Sequence, residues 1–434
     1  GVLRYDGSST FAPDKRWGTF PSVSIGWRIS EESFFKENIS FISNFKLRAS
    51  YGVVGDQGGF SPFQYLEGYY YPSGKYLFTE NVTTIGLSSS GIANPDLTWF
   101  ESKIANIGFE LSILNGLFTA EFDMFRRDRS GLMARRNFTL PTSFGTELPE
   151  ENLNSDMTRG FELVLGHNNT IGDFTYGVKS NATITRSRNK YVERAPDSNK
   201  YTNWRNNSND RNKDLTWGYT MIGQFRDYEE ILNSPVQDSN GNKSLLPGDF
   251  KYKDLNGDNI IDDNDQCPIG NPIYPQLTAG ITAGFEYKGF DFSMLWAGSG
   301  KVSRFISAGL RVPFGGGNYG LLQYMIDDHW TPETAETAKT PRFSGAANAN
   351  NYTRNSTLWL KDASYIRLKN VQIGYTFKGE WMKKIHLKNM RIYASGENLL
   401  TFDHLKIADP EATDDKQFQY PLQMIFNIGL NLNF

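Results

Sequence analysis

The residues best spaced for chemistry lie at 254–265, where the sequence reads DLNGDNIIDDND. Asp254, Asn256 and Asp258 take positions 1, 3 and 5 of a calcium-loop spacing, the Ile260 carbonyl falls at 7, Asp262 at 9 and Asp265 at 12. Calcium takes roughly six to eight hard oxygen ligands, and this spacing turns carboxylates, an amide and a backbone carbonyl toward one point. Position 6 is Asn259 where such loops carry Gly, and Asn tolerates the left-handed backbone needed there. Position 12 is the shorter Asp instead of Glu. The flanks LPGDFKYK and QCPIGNPIYP bear prolines and read as extended, so no helix pair brackets the loop. The expectation is one structural calcium ion bracing a long loop. A solvated acidic turn is the plainer alternative.

A second cluster, FQYLEGYYYPSGKYLF at 63–78, gathers Tyr65, Tyr69, Tyr70, Tyr71 and Tyr76. Tyrosine joins apolar area to a polar tip, so these five are candidates for stacking on sugar rings or peptide side chains. Packing within the loop or against a partner uses the same properties.

Elsewhere the chemistry is thin. GGGNYG at 315–320 matches G-x-G-x-x-G, but no parallel βαβ pattern follows it, so a nucleotide site is not expected. His167, His329, His386 and His404 stand far apart, Cys267 is alone, and no G-x-S-x-G elbow occurs. No catalytic residue is assigned, and the expected function is not that of an enzyme.

Composition says what positions these loops. Lys and Arg total 45 against 48 for Asp and Glu, a net charge of −3, so nucleic acid is not an expected partner. Aromatics reach 14% while all hydrophobic residues reach only 38%, against about 45–50% in soluble domains. The chain has strand-forming rings but too little aliphatic residue for a thick core. No run approaches the roughly 20 apolar residues of a membrane helix. The opening GVLRYDGSS lacks signal-peptide character and reads as mid-strand, so the chain is expected to be a fragment.

Alternation with period two runs through the sequence. In FNIGLNLNF, Phe426, Ile428, Leu430, Leu432 and Phe434 share one face, while Asn427, Gly429, Asn431 and Asn433 share the other. Leu277 to Tyr287, Val371 to Phe377, Ile107 to Ile113 and Phe118 to Met124 alternate likewise. Further strands start near Ser22, Lys46, Gly160, Phe174, Phe290 and Met390, and with the opening stub about twelve are expected.

Their connections alternate in length. Tight turns at 114–116, 168–172 and 288–289 separate long polar stretches at 55–97, 130–157, 188–276 and 298–363. Short turns at one end and long loops at the other describe a transmembrane antiparallel up-and-down β-barrel. Its apolar face meets membrane lipid, which removes the need for a thick core. The span 188–276 then reads as one long extracellular loop containing the calcium-type segment.

Longer strings narrow this to a family. RYDGSSTFAPDKRWGTFPSVSIGWRIS at 4–30, GIANPDLTWFES at 91–102 and PGDFKYKDLNGDNIIDDNDQCPIGNP at 247–272 resemble hallmark segments of the SusC/RagA family. So do DDHWTPE at 327–333, LWLKDASYIRLKNVQIGY at 358–375 and NMRIYASGENLLTF at 389–402. These are TonB-dependent importers of the Gram-negative outer membrane. The resemblance covers nearly the whole chain, residues 1–434, and the terminal Phe434 is similar to the barrel-assembly signature of outer-membrane strands. It implies an all-β fold holding about the C-terminal 12 strands of a barrel of about 22, with the plug domain absent from this chain. It also implies a SusD-like surface lipoprotein as lid, the TonB complex as energy source through the missing plug, and an oligosaccharide or a peptide as cargo, with oligosaccharide preferred. The competing readings are a soluble carbohydrate-active or adhesive, carbohydrate-binding β-protein with a dockerin-like calcium module, and an outer-membrane enzyme or passive porin.

Overall fold

The computed structural model describes residues 1–434 apart from 80–81, 137–142, 144, 316–319, 345–347, 385, 414–416, 418–419 and 421, and apart from the side chains of 74–76, 78–79 and 383. Twelve strands form one antiparallel sheet. They are β1 (Val2–Gly7), β2 (Trp17–Arg28), β3 (Ile42–Asp56), β4 (Phe100–Ile113), β5 (Phe118–Arg135), β6 (Glu150–Ile171), β7 (Phe174–Tyr191), β8 (Leu277–Tyr287), β9 (Phe290–Gly300), β10 (Tyr365–Phe377), β11 (Asn389–Asp403) and β12 (Ile425–Asn433). Each strand pairs with its neighbour in sequence, so the sheet is an up-and-down meander with β1 and β12 at its ends. The strands expected from alternation correspond one to one with those observed. Several are longer than expected: β5 and β6 reach Arg135 and Glu150, and the stretch expected as loop at 130–157 narrows to 136–149.

Register shows why one face is oily and the other wet. Phe292 pairs with Ile373, Ile373 with Ala394 and Ala394 with Ile428, an apolar row across β9 to β12. One residue along, Ser293, Gln372, Ser395 and Asn427 form a polar row. Side chains alternate between faces along a strand, so the two rows lie on opposite faces. Along the apolar face, described side chains stand open. Ile25, Ile107, Ile373 and Ile428 are 70, 61, 54 and 87% exposed, which rules out burial in a sandwich interior. No described helix is long and apolar enough to cross a membrane.

The tight ends use left-handed backbone. Lys288 and Gly289 both have positive φ, 46° and 92°, between the paired Tyr287 and Phe290, the backbone of a two-residue hairpin whose twist matches its strands. On the polar face of the sheet, Gly374 on β10 leaves room for Arg391 of β11 to reach Asp291 of β9, with Nε to Oδ1 at 2.9 Å. Any Cβ at Gly374 would lie 2.7 Å from both partners.

The chain divides into two compact units. The first holds 1–115, 119–163 and 185–213. Its buried centre is aromatic: Phe11 and Phe20 pack on Trp99 at centroid distances of 5.4 and 5.5 Å, and Trp99 donates to the Arg16 carbonyl. The second unit holds 116–118, 164–184 and 214–434. Here three connections, 214–276, 301–364 and 404–424, share a hydrophobic core of Tyr219, Phe250, Tyr252, Ile261, Ile306, Leu310, Val312, Tyr352, Trp359 and Leu405. Length alone does not make these loops loose, because a shared core offsets the entropy of ordering them.

Candidate functional site

In the first unit, the loop at 57–99 folds over the ends of β5 and β6 that adjoin 136–149. A hairpin of Tyr69–Thr79 with Val82–Ser89 rises from it, where sequence reading expected only loop. Asn152 on β6 clamps the base: its amide donates to the carbonyls of Thr98 and Gly131 at 2.8 and 2.7 Å and accepts from Thr98 N at 3.0 Å. Glu150 binds the loop beside it, accepting from Gln64 Nε2 at 2.8 Å through its carboxylate and from Asn94 Nδ2 at 2.7 Å through its carbonyl.

Between loop and strand ends opens a cleft of about 540 Å³, within the size range of small-molecule sites. Phe63, Leu66, Tyr70 and Ile92 supply apolar wall; Gln64, Asn94, Arg135, Glu147 and Glu150 supply polar groups. Arg135 pairs with Glu147 at the rim. An apolar wall faced by amides and carboxylates suits a neutral, hydroxyl-rich or amide-rich ligand.

Of the four candidate tyrosines whose side chains are described, one lines this site. Tyr70 lines the cleft. Tyr69 and Tyr71 flank it on the hairpin strand, and successive residues of a strand face opposite ways; both are highly exposed. Tyr65 is half-buried and its hydroxyl accepts from Arg16 Nη2 at 3.3 Å, a packing contact. The Tyr76 side chain lies outside the described residues. Sequence reading passed over Gln64, Asn94, Arg135, Glu147 and Glu150, although Gln64 stands inside the tyrosine cluster at 63–78 and Asn94 inside the string at 91–102. Only their convergence from separate segments marks them.

The acidic segment belongs to the second unit and is tied to its core. Ile261 is buried there, Ile261 N donates to the Val236 carbonyl at 2.8 Å, and Tyr219 OH donates to Asp263 Oδ1 at 3.2 Å. The expected left-handed residue is present, Asn259 with φ 62°. The flanks are extended as expected: strand Phe250–Tyr252 before, and a short 3₁₀ turn Asp263–Asp265 followed by strand Gln266–Pro268 after.

The loop's side chains cap its own backbone. Asp254 accepts from Gly257 N and Asn259 N at 2.6 and 2.9 Å, Asn256 from Asp258 N at 3.0 Å, and Asp258 from Ile260 N at 2.8 Å. Asp262 accepts from Asn264 N at 2.7 Å; the fully buried Asp265 accepts from Leu255 N and Asp262 N at 2.7 and 2.9 Å. Among the described residues no three His, Cys, Asp or Glu side chains converge closely enough to hold a metal as they stand. By donor type the set still fits a hard cation, being oxygen throughout. Burial raises the Asp265 carboxyl above the ordinary range, against the backbone N–H groups, and the charge of Asp254 adds to the rise. A cation beside this pair would offset that cost.

Nearby, the second unit has an open charged cleft of about 620 Å³ between 222–233, Lys251 and 335–338. Lys251 Nζ donates to Glu230 Oε1 at 2.9 Å, and Arg226 stands 3.8 Å from Glu336. Burial pushes the Glu230 carboxyl up, but hydrogen bonds from Lys251 and from Arg226 N outweigh it and leave the group below its ordinary range.

A family model described as TonB dependent receptor-like, beta-barrel matches residues 3–399. The chain is 27% identical along its whole length to TonB-dependent receptor P26 of Formosa agariphila, covering 44% of that protein. To TonB-dependent receptor SusC of Bacteroides thetaiotaomicron it is 27% identical, again over its whole length and 42% of the relative. The chain thus spans less than half the length of the curated relatives it matches. Among solved structures, the RagAB peptide importer in its closed-closed and open-open states superposes with TM-scores of 0.75 and 0.76 at 21% identity, over the whole chain and 45 and 44% of the other. At that identity the likeness concerns the fold.

Proposed function

Because this chain belongs to the TonB-dependent receptor-like β-barrel family, we propose that it forms the C-terminal barrel portion of an outer-membrane importer whose cargo is an oligosaccharide. The cleft beside Tyr70 carries the cargo class. A sugar ring stacks on the tyrosine face while Gln64, Asn94 and Glu150 exchange hydrogen bonds with ring hydroxyls. The polar rows of the sheet give the cargo a wetted passage once it leaves the cleft.

In this reading a SusD-like surface lipoprotein closes the outer end, and the TonB complex pulls on a plug carried elsewhere in the protein. Support comes from the relatives, SusC among them, and from the fold shared with RagAB. The segment at 254–265 takes one structural calcium ion after its half-buried Asp254 and its exposed Asp258 and Asp262 rotate off their backbone caps. Its spacing, its all-oxygen donors and the strained ionisation of Asp265 support this.

Calorimetry on the full-length importer with its lipoprotein, titrated with neutral oligosaccharides and with peptides, tests the cargo. Oligosaccharide binding that weakens on Tyr70→Ala is expected. Binding of peptides alone replaces the glycan reading with a peptide importer. Uptake that continues unchanged in cells lacking TonB reduces the protein to a passive pore.

A further inference from the structure

Within the first unit, three arginines line up across the apolar face of the sheet. Inward contacts set the register. Arg129 binds Asp156 with Nε to Oδ1 at 2.8 Å, and Arg127 Nη2 reaches Thr158 Oγ1 at 3.5 Å, so β5 and β6 pair with 129 opposite 156 and 127 opposite 158. Thr158 Oγ1 and Ser187 Oγ stand 2.9 Å apart, which sets 158 opposite 187 on β7. On the other face of the same ladders, Arg126, Arg159 and Arg186 therefore stand side by side. All three are exposed.

This face is the apolar one: Phe122 stacks on Phe161 at 6.2 Å, two residues short of Arg159 on β6. Along β6 the stretch from Ile171 to Phe161 climbs roughly 25 Å at a strand tilt near 45°, the height of a barrel's apolar band. The arginines begin where that band ends.

Like charges directly opposite on paired strands repel. Arg126 is answered by Asp128, bidentate at 2.7 and 3.0 Å, and Arg188 and Lys190 farther along β7 share Asp210 at 3.9 and 3.8 Å. Among the described residues, Arg159 and Arg186 have no carboxylate partner. Two adjacent guanidinium forks without a counter-charge, at the rim of a lipid-facing band, match an anion that carries several oxygens and is held at the membrane interface.

We propose that Arg126, Arg159 and Arg186 bind the phosphate of a phosphorylated outer-leaflet lipid, whose acyl chains lie on the apolar positions below. The inference rests on the membrane reading above. Arg159 and Arg186 supply the free forks, and Arg126 closes the row with the charge that Asp128 leaves to share.

The test uses the full-length importer purified in mild detergent and offered bis-phosphorylated lipid A, the same lipid enzymatically stripped of phosphate, or inorganic phosphate, with bound lipid read by native mass spectrometry. The wild type is expected to retain the phosphorylated lipid about tenfold better than the stripped one. The R159Q/R186Q variant is expected to lose that preference while keeping the heat-modifiable gel mobility of a folded barrel. Equal retention of both lipids, a preference that survives in R159Q/R186Q, or inorganic phosphate displacing the lipid at equal concentration overturns the proposal. If the variant fails to fold, R159K/R186K decides: it keeps the charge but loses the fork, and an undiminished preference refutes the role of the guanidinium geometry. A protein that stays monodisperse without detergent sinks the membrane reading itself. One that needs detergent but ignores phosphate sinks only the arginine row.

Discussion

Asn351 donates its side-chain amide to Asp249 Oδ1 at 2.8 Å, and neither residue has solvent-exposed surface. The bond joins the connection between β7 and β8 to the one between β9 and β10. Asp249 also pairs with Arg342, with Nε to Oδ1 at 2.8 Å, and accepts from Leu246 N at 2.8 Å. Around it Tyr252 OH donates to the Asn350 carbonyl at 2.6 Å, and burial pushes the Tyr352 hydroxyl up to about 12, keeping it a donor to the Arg342 carbonyl.

Asp249→Ala should therefore loosen the outer loops while leaving the strands intact. Removing one partner of a buried pair strands Arg342 and two amides, a cost of about 3 kcal/mol or more. Limited proteolysis should cut within 214–364 at lower protease concentration, with unchanged heat-modifiable mobility. Resistance equal to wild type would show that the hydrophobic core holds the loops alone.

Calcium should protect the segment at 254–265. At a concentration about 100 times the dissociation constant, binding adds about 2.7 kcal/mol to local stability, read as slower hydrogen exchange across 250–268. Chelation should remove the protection, and Asp254→Ala with Asp258→Ala should make the segment indifferent to calcium. Acid should weaken the effect, because protons compete for the same carboxylates. Exchange rates that ignore calcium in the wild type return the loop to a solvated acidic turn.

Glu230 gives the outer loops an acid limit. Its folded pKa lies below the ordinary 4.5, so its stabilisation is present above that value and is lost as pH falls through the lowered folded pKa. Protection of the helix Tyr228–Leu232 should hold from neutral pH down to the ordinary value and decline below it. Lys251→Met should remove most of that dependence. A pH profile identical in Lys251→Met and wild type would assign the acid sensitivity elsewhere.

Tyr70→Ala should weaken oligosaccharide binding by up to about tenfold, the worth of one stacked ring, while Tyr65→Ala should change binding little, since its hydroxyl serves Arg16. Equal losses in the two variants would move the site away from the cleft.

Gly374→Val should lower the temperature at which the barrel unfolds on a gel. The new side chain displaces the Arg391–Asp291 pair and overfills the strand face, at about 1–3 kcal/mol. Asp291→Asn keeps the space and should cost less.

Much of this was legible in the sequence, and the reason is distance along the chain. Which residues form strands, which face of each is oily and where the tight turns fall are local properties: Phe426 to Phe434 alternate whatever surrounds them, and Gly289 marks a tight turn by its freedom at positive φ. The calcium-type spacing and the left-handed Asn259 are equally local. Alternation by itself thus determined twelve strands with an apolar face and long connections at one end. The tertiary structure decided whatever depends on groups far apart in sequence. Asp249 meets Asn351 and Glu150 meets Gln64 only after the loops fold, so the shared core, the choice of Tyr70 over Tyr65 for the cleft and the extension of β5 and β6 beyond their alternating cores were out of reach. The arginine row shows the division best: each arginine was visible, but period-two patterning places a residue on a face and says nothing of its neighbour across the ladder. Register between strands is set by pairings such as Arg129 with Asp156 and Thr158 with Ser187, and those exist only in three dimensions.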